Sequence, residues 1–214
     1  DFAWIQQIPG RKIILKGNHD YWWSTAAKFE KFCKENDILL IVDEVQTGIG
    51  RCGSLFAYEQ YGIAPDIVTM AKGLGGGLPI GGVLAAKSCA DVMGPGTHGS
   101  TFGGNPVSAA SANVVLDTVM KPEFLKEVEE KGAYIKEKVL GFHSPAVKNV
   151  RGMGLMLGII VDPEKRAGYV AKLMEKGVLV LTAGTDAIRL LPPLVITYEE
   201  IDQALEAMKG VFES

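Results

Sequence analysis

The 214-residue sequence has little histidine and little cysteine, three of each, and that scarcity removes several kinds of chemistry at the outset. Cys33, Cys52 and Cys89 are odd in number and show no CxxC spacing, so neither a disulfide framework nor a zinc knuckle is expected. A cytoplasmic, reducing location suits such a chain. No apolar run approaches the ~20 residues that a membrane helix needs, and no signal pattern opens the sequence. With a formal net charge of -3 and scattered Lys and Arg, there is no basic surface for nucleic acid. Internal repeats and low-complexity tracts are missing as well. What is present is an apolar content of 47%, enough for an ordinary packed core.

That core is organised around residues 38 to 106. ILLIVDEVQTGIGRCG is an apolar run ending at Asp43, and PDIVTMAKGLGGGLPIGGVLA is a second one ending at Lys72 and a glycine cluster. HGSTFGGNP then sets Ser100 and Thr101 among glycines just before Asn105-Pro106, a helix start with proline where no amide hydrogen is required. Buried strands that stop at a carboxylate and at an amine bring both groups to the carboxyl edge of a parallel sheet, where open α/β proteins bind ligands. An acid and a lysine meeting there suggest pyridoxal phosphate: the amine forms an imine with its aldehyde, and the acid keeps its ring nitrogen protonated.

The remaining elements follow from pattern. A strand is expected at Ile13–Leu15, an amphipathic helix over STAAKFEKFCKEND, a short helix over SLFAYEQYG, and strands at 67–71 and 81–86. Two helices follow, one from Pro106 and one from Pro122, the latter with Phe124, Val128, Ile135 and Val139 inward. Composition changes near Gly141–Pro145, and strands are expected at 156–161, 178–181 and 187–191, with a helix over 163–176. Thr197 and Glu200 form a capping box for the last helix. The expected fold is α/β, a partial large domain with a mostly parallel sheet at 31–142 and a small α+β domain at 143–214.

Residues 1–30 stand apart. GNHD after an apolar strand, followed by Tyr21, Trp22 and Trp23, resembles the metal motif of calcineurin-like metallophosphoesterases, where residues matching Asn18 and His19 serve a two-metal centre. Such a centre needs many more His and Asp ligands, and neither a DxH before the motif nor a GHxH after it is found. No working metal site is expected. The abutment of two signatures implies a composite chain joined within residues 25–37.

Singly, the other residues have ordinary explanations: Asp43 as a turn former, Lys72 as a solvated charge, the glycines as a flexible loop. Together, DEVQTGIGR, AKGLGGGLPIGG, GSTFGGNP and RLLPP in that order closely resemble the class III aminotransferases of the fold-type-I pyridoxal phosphate enzymes, over about residues 30–214. The pairing of THGSTFGGNP with RLLPPLVIT most resembles the family's acetylornithine branch. The resemblance implies that Lys72 is the Schiff-base lysine and proton shuttle, that Asp43 pairs with the pyridinium nitrogen, that Val45 packs on the ring and that Gln46 bonds its phenolic oxygen, with Glu44 beside them. Thr101 matches a hydroxyl reaching the phosphate of the partner subunit in a homodimer, Ser100 a residue near the substrate, and Arg189 the arginine that grips an α-carboxylate. Substrates would be an amino acid and a 2-oxo acid. Spacing leaves the donor open among acetylornithine, ornithine, succinyl-diaminopimelate and aminobutyrate.

Family members also carry, before the part matching Ile38, a phosphate-binding Ser/Gly-Thr loop, a ring-stacking aromatic and an EPxxG-type motif. These do not occur here, so weak cofactor binding by this polypeptide alone is expected. A noncatalytic fragment is the alternative reading.

Overall fold

The structure is a computed structural model that describes residues 7–9, 13–15 and 25–213. The chain divides by its contacts into two units, one comprising residues up to Ile49 with Ser54–Met120, the other Gly50–Gly53 with the residues from Lys121 on.

The first unit is built on a four-stranded sheet in the order β1 (Ile13–Leu15), β2 (Leu39–Asp43), β3 (Ile67–Met70), β4 (Gly82–Ala85). The first three strands are parallel and β4 runs antiparallel to β3. Helix α1 (Ala26–Glu35) starts at Thr25, whose hydroxyl accepts from the Lys28 amide at 3.2 Å. This satisfies one of the four amides that a helix start leaves unpaired. Its Phe29 and Cys33 are buried with Ile38 and Leu40, so the helix covers the Leu40 face of the sheet. Because side chains alternate along a strand, Ile41 and Asp43 emerge on the other face. After β4 come α2 (Lys87–Ala90) and α3 (Pro106–Val119). The Asn105 side chain caps α3 by accepting from the amides of Val107 and Ser108, as the Asn-Pro start implied.

The second unit is an antiparallel sheet in the order β5-β6-β8-β7, formed by β5 (Asn149–Met153), β6 (Met156–Ile160), β7 (Leu181–Ala183) and β8 (Ala187–Leu190). Helices α4 (Pro122–Leu140), α5 (Arg166–Glu175) and α6 (Tyr198–Phe212) share one core with it. Leu157 and Ile159 of β6 and Ile188 and Leu190 of β8 point into that core, so Gly158 and Arg189 lie on the opposite face. The capping box of α6 is present: the Thr197 hydroxyl accepts from the Glu200 amide, and the Glu200 carboxylate from the Thr197 amide.

Three details depart from the sequence reading. Strand β5 was not foreseen, because NVRGM carries a glycine and an arginine where an apolar alternation would announce a strand. The strand expected at 178–181 pairs instead at Leu181–Ala183: the Val178 amide is taken by the Leu173 carbonyl at the end of α5, and Val180 is buried in the core without a ladder. The contact division falls at Met120/Lys121 rather than at 142/143. Val128, Ile135 and Val139 of α4 are buried with β5, β6 and α6, which places that helix in the second unit.

Candidate active site

Parallel pairing of β2 with β3 sets Asp43 opposite Thr69. Lys72 lies three residues beyond Thr69, so carboxylate and amine leave the same carboxyl edge from neighbouring strands. Asp43 Oδ1 accepts from the Val45 amide at 2.9 Å and from the Thr69 hydroxyl at 3.4 Å. Among the described residues Oδ2 has no hydrogen-bond partner, and the side chain is exposed.

Glu44, next in sequence, points inward. Its carboxyl is buried, and its two oxygens accept from the Tyr58 amide at 2.8 Å and from the Thr47 hydroxyl in a short bond. Its carbonyl takes the Gly48 amide at 3.0 Å. A Cβ at Gly48 would stand 2.8 Å from that carbonyl and 3.1 Å from the Phe56 ring, so only glycine closes this turn. Glu44 therefore fixes the loop that presents half-buried Val45 and Gln46, and both its oxygens are spent on the protein itself. Its place beside Val45 and Gln46 is thus that of a residue holding their loop.

Lys72 has φ +45°, and Ile49 has φ +56°. Such left-handed backbone is rare outside glycine and an outlier for a β-branched residue. The two meet through Gly73, whose added Cβ would lie 3.8 Å from Ile49 Cβ. On the far side of the lysine, the Ser111 hydroxyl of α3 donates to the Gly75 carbonyl at 2.8 Å. A Cβ at Gly76 would come within 3.0 Å of Val115. Ser111 and Ile49 were not singled out from the sequence, since a serine inside a helix and an isoleucine between glycines carry no signature.

Ser100 and Thr101 are exposed in the coil before α3. In the second unit, Arg189 is paired with Gly158 on one side and Leu181 on the other. Its Nε is buried with no hydrogen-bond partner among the described residues, a state shared by Arg166 Nε. A buried N–H left unmatched by the protein is costly unless something else accepts from it. Asn18 and His19 fall outside the described residues. Among those described, no group of three His, Cys, Asp or Glu could hold a metal ion, and no helix is long and apolar enough to cross a membrane.

Chemically, a strand edge that offers a carboxylate oxygen and a primary amine suits a heteroaromatic aldehyde. With such a group bound, an acid there would hold a proton on its ring nitrogen and an amine would meet its carbonyl. The chain belongs to the class-III aminotransferases: residues 21–212 match that family's profile, described as "Aminotransferase class-III". Members of the family depend on pyridoxal phosphate.

Within it, the acetylornithine aminotransferase of Bacillus subtilis (strain 168) is 50% identical over 181 residues, covering 84% of this chain and 47% of that protein. The acetylornithine aminotransferase of Streptococcus mutans is 43% identical over 212 residues, covering 98% of this chain and 54% of that one. The latter match takes in most of residues 1–30. Among solved structures, the ornithine aminotransferase of Toxoplasma gondii ME49 aligns with a TM-score of 0.81 at 35% identity, over 87% of this chain and 46% of that chain. The fold is that of the fold-type-I enzymes. The chain spans about half the length of the curated relatives it matches.

Proposed function

We propose that this chain carries the lysine-bearing half of a pyridoxal phosphate-dependent aminotransferase acting on N-acetylornithine and 2-oxoglutarate, giving N-acetylglutamate semialdehyde and glutamate. The observation that supports the reading is the pair of neighbouring strand ends, with Asp43 Oδ2 outside the protein's own hydrogen bonds among the described residues and Lys72 two residues past the end of the adjoining strand. Pyridoxal phosphate, when bound, supplies an aldehyde for amines and a ring that accepts electrons.

The chain's own residues then have distinct tasks. Asp43 holds the proton on the ring nitrogen, its other oxygen anchored by Val45 N–H and Thr69. Val45 and Gln46 sit against the ring on a turn that Glu44 and Gly48 keep closed. Lys72 holds the cofactor and moves a proton to and from the substrate carbon. Ser100 lies near the substrate, and Thr101 reaches the phosphate site of a second copy in a cytoplasmic homodimer. Arg189 offers a planar fork to the α-carboxylate, a role that its unmatched buried Nε supports. The choice of acetylornithine over ornithine rests on the curated relatives of 43–50% identity, which carry that name.

The test is borohydride treatment of the protein mixed with pyridoxal phosphate, followed by peptide mass mapping, with amino donors then compared by glutamate release. With pyridoxal phosphate in large excess, to offset the weak binding expected of this polypeptide alone, a pyridoxyl mark on the Lys72 peptide and preference for N-acetylornithine are expected. A mark on any other lysine, or none, overturns the reading.

A further inference from the structure

Arg51 belongs to the second unit by its contacts, and its guanidinium does something a β-ladder would ordinarily do. Strands β6 and β8 are antiparallel with Leu157 opposite Leu190. Two places further along that register, Leu155 stands opposite Pro192. Pro192 and Pro193 have no amide hydrogens, so backbone pairing cannot continue past β8. Arg51 Nη1 instead donates to both carbonyls, that of Leu155 at 3.1 Å and that of Pro192 at 2.5 Å. The Leu155 amide returns a bond to the Arg51 carbonyl at 3.1 Å.

The socket for this clamp is shaped by glycine. Gly154 has φ +50°, and a Cβ on it would stand 2.6 Å from the Cys52 carbonyl carbon and 2.8 Å from the Arg51 oxygen. On its other side, a Cβ at Gly132 of α4 would come within 2.1 Å of the Gly154 oxygen. The β5–β6 turn is thus held between the 51–52 backbone and a helix, with backbone in contact on both sides. Burial pushes the Arg51 guanidinium below its ordinary pKa, but an arginine remains a cation in proteins.

We infer that Arg51 is a positioning residue that fixes the end of β8, and through it Arg189 three residues upstream, for recognition of the substrate carboxylate. The inference rests on the carboxylate role proposed above for Arg189. Without the guanidinium, two carbonyls lose their donor and the β8 end is tied only by the strand itself. The inference therefore predicts a defect in carboxylate recognition rather than in cofactor attachment at Lys72.

The test uses Arg51→Met, which keeps the length of the stem, and Arg51→Lys, which keeps the charge without the fork, both in the holoenzyme. Two readouts are taken: hydrogen exchange of the peptide spanning Leu190, and KM and kcat for an amino-acid donor beside a primary amine lacking a carboxylate. Arg51→Met should speed exchange at Leu190 and raise KM for the amino acid by roughly ten- to hundredfold, the scale of a small misplacement at a site. The amine's KM and the borohydride mark on Lys72 should stay within about twofold, with Arg51→Lys in between. Equal losses on both donors, or unchanged exchange and KM in a folded variant, overturn the inference. If Arg51→Met fails to fold, Arg51→Lys carries the same comparison. Should the wild type take no mark on Lys72, the proposed function fails, while the exchange result still decides whether Arg51 holds the end of β8.

Discussion

Replacement of Gly154 by alanine puts a number on the backbone sandwich in the second unit. Two costs act together. The residue sits at φ +50°, where an L side chain costs about 1–2 kcal/mol. The new Cβ would also meet the Cys52 carbonyl carbon at 2.6 Å and the Arg51 oxygen at 2.8 Å. Both contacts are backbone, so no rotamer change relieves them, and forced overpacking adds about 1–3 kcal/mol. The expected loss is therefore about 2–5 kcal/mol, or a fall in melting temperature of roughly 10–25 °C for a unit of this size.

Gly168→Ala is the matching control. That glycine lies within α5 with nothing within 4 Å of an added Cβ, and alanine there should stabilise by up to about 1 kcal/mol. Thermal unfolding followed by circular dichroism at 222 nm, with urea titrations for the free energies, reads both variants. A Gly154→Ala protein within about 0.5 kcal/mol of wild type, the range of an ordinary surface change, would refute the tight approach of the 51–52 backbone to this turn.

Arg189→Ala should remove about 2–5 kcal/mol of carboxylate recognition, the range for losing one member of a buried charged pair; an unchanged ratio of amino-acid to simple-amine activity would contradict that role. Lys34 donates to Glu30 at 2.6 Å, and this bond, ahead of the Ala64 amide, holds the Glu30 carboxyl below its ordinary pKa. A lowered folded-state pKa means the stabilisation is complete above the unfolded glutamate value of about 4.3 and fades as pH drops through the lower folded one. Lys34→Met should thus cost about 0.5 kcal/mol at pH 6, a gap that urea titrations should show narrowing as pH falls below the unfolded value; a gap that does not narrow would argue against it. Burial, helped by the carboxylates of Asp66 and Glu30, pushes the Cys33 thiol up to about 11, so iodoacetamide at pH 8 should label it only after unfolding. Rapid labelling of the native protein would count against a buried α1 face.

How far the sequence could be read depended on whether a feature was local. Caps are local, and Asn105-Pro106 and Thr197…Glu200 appear as expected because a few adjacent residues contain the whole interaction. The strand ends at Asp43 and Lys72 were legible because an apolar run bounded by glycines is enough to mark a buried strand. β5 was hidden for the opposite reason: Val150 is its one buried residue, and its pairing with β6 across a two-residue turn is a tertiary fact. The division expected from sequence and the contact division differ because composition changes where α4 ends, whereas contacts follow its buried face. Arg51 reads in sequence as part of a glycine loop, and only the fold shows that its partners lie 104 and 141 residues away.

The backbone at Lys72 shows what local reading cannot supply. Two non-glycine residues in the left-handed region, Ile49 and Lys72, each carry on the order of 1–3 kcal/mol of strain, and neither conformation is favoured by its own side chain. They persist because the surroundings leave no other path. Leu74 is buried, Gly75 is fastened to Ser111 of α3, and Ile49 is buried beside Gly73. Glycine at position 72 would adopt this φ freely, but it has no amine, and a lysine moved one residue along the strand end would leave in a different direction. On the role proposed for Lys72, the strain is the consequence of requiring an amine at that place on the sheet edge. The α3 contacts that maintain it would then belong to the proposed site as much as Asp43 does, although none of them would touch a ligand.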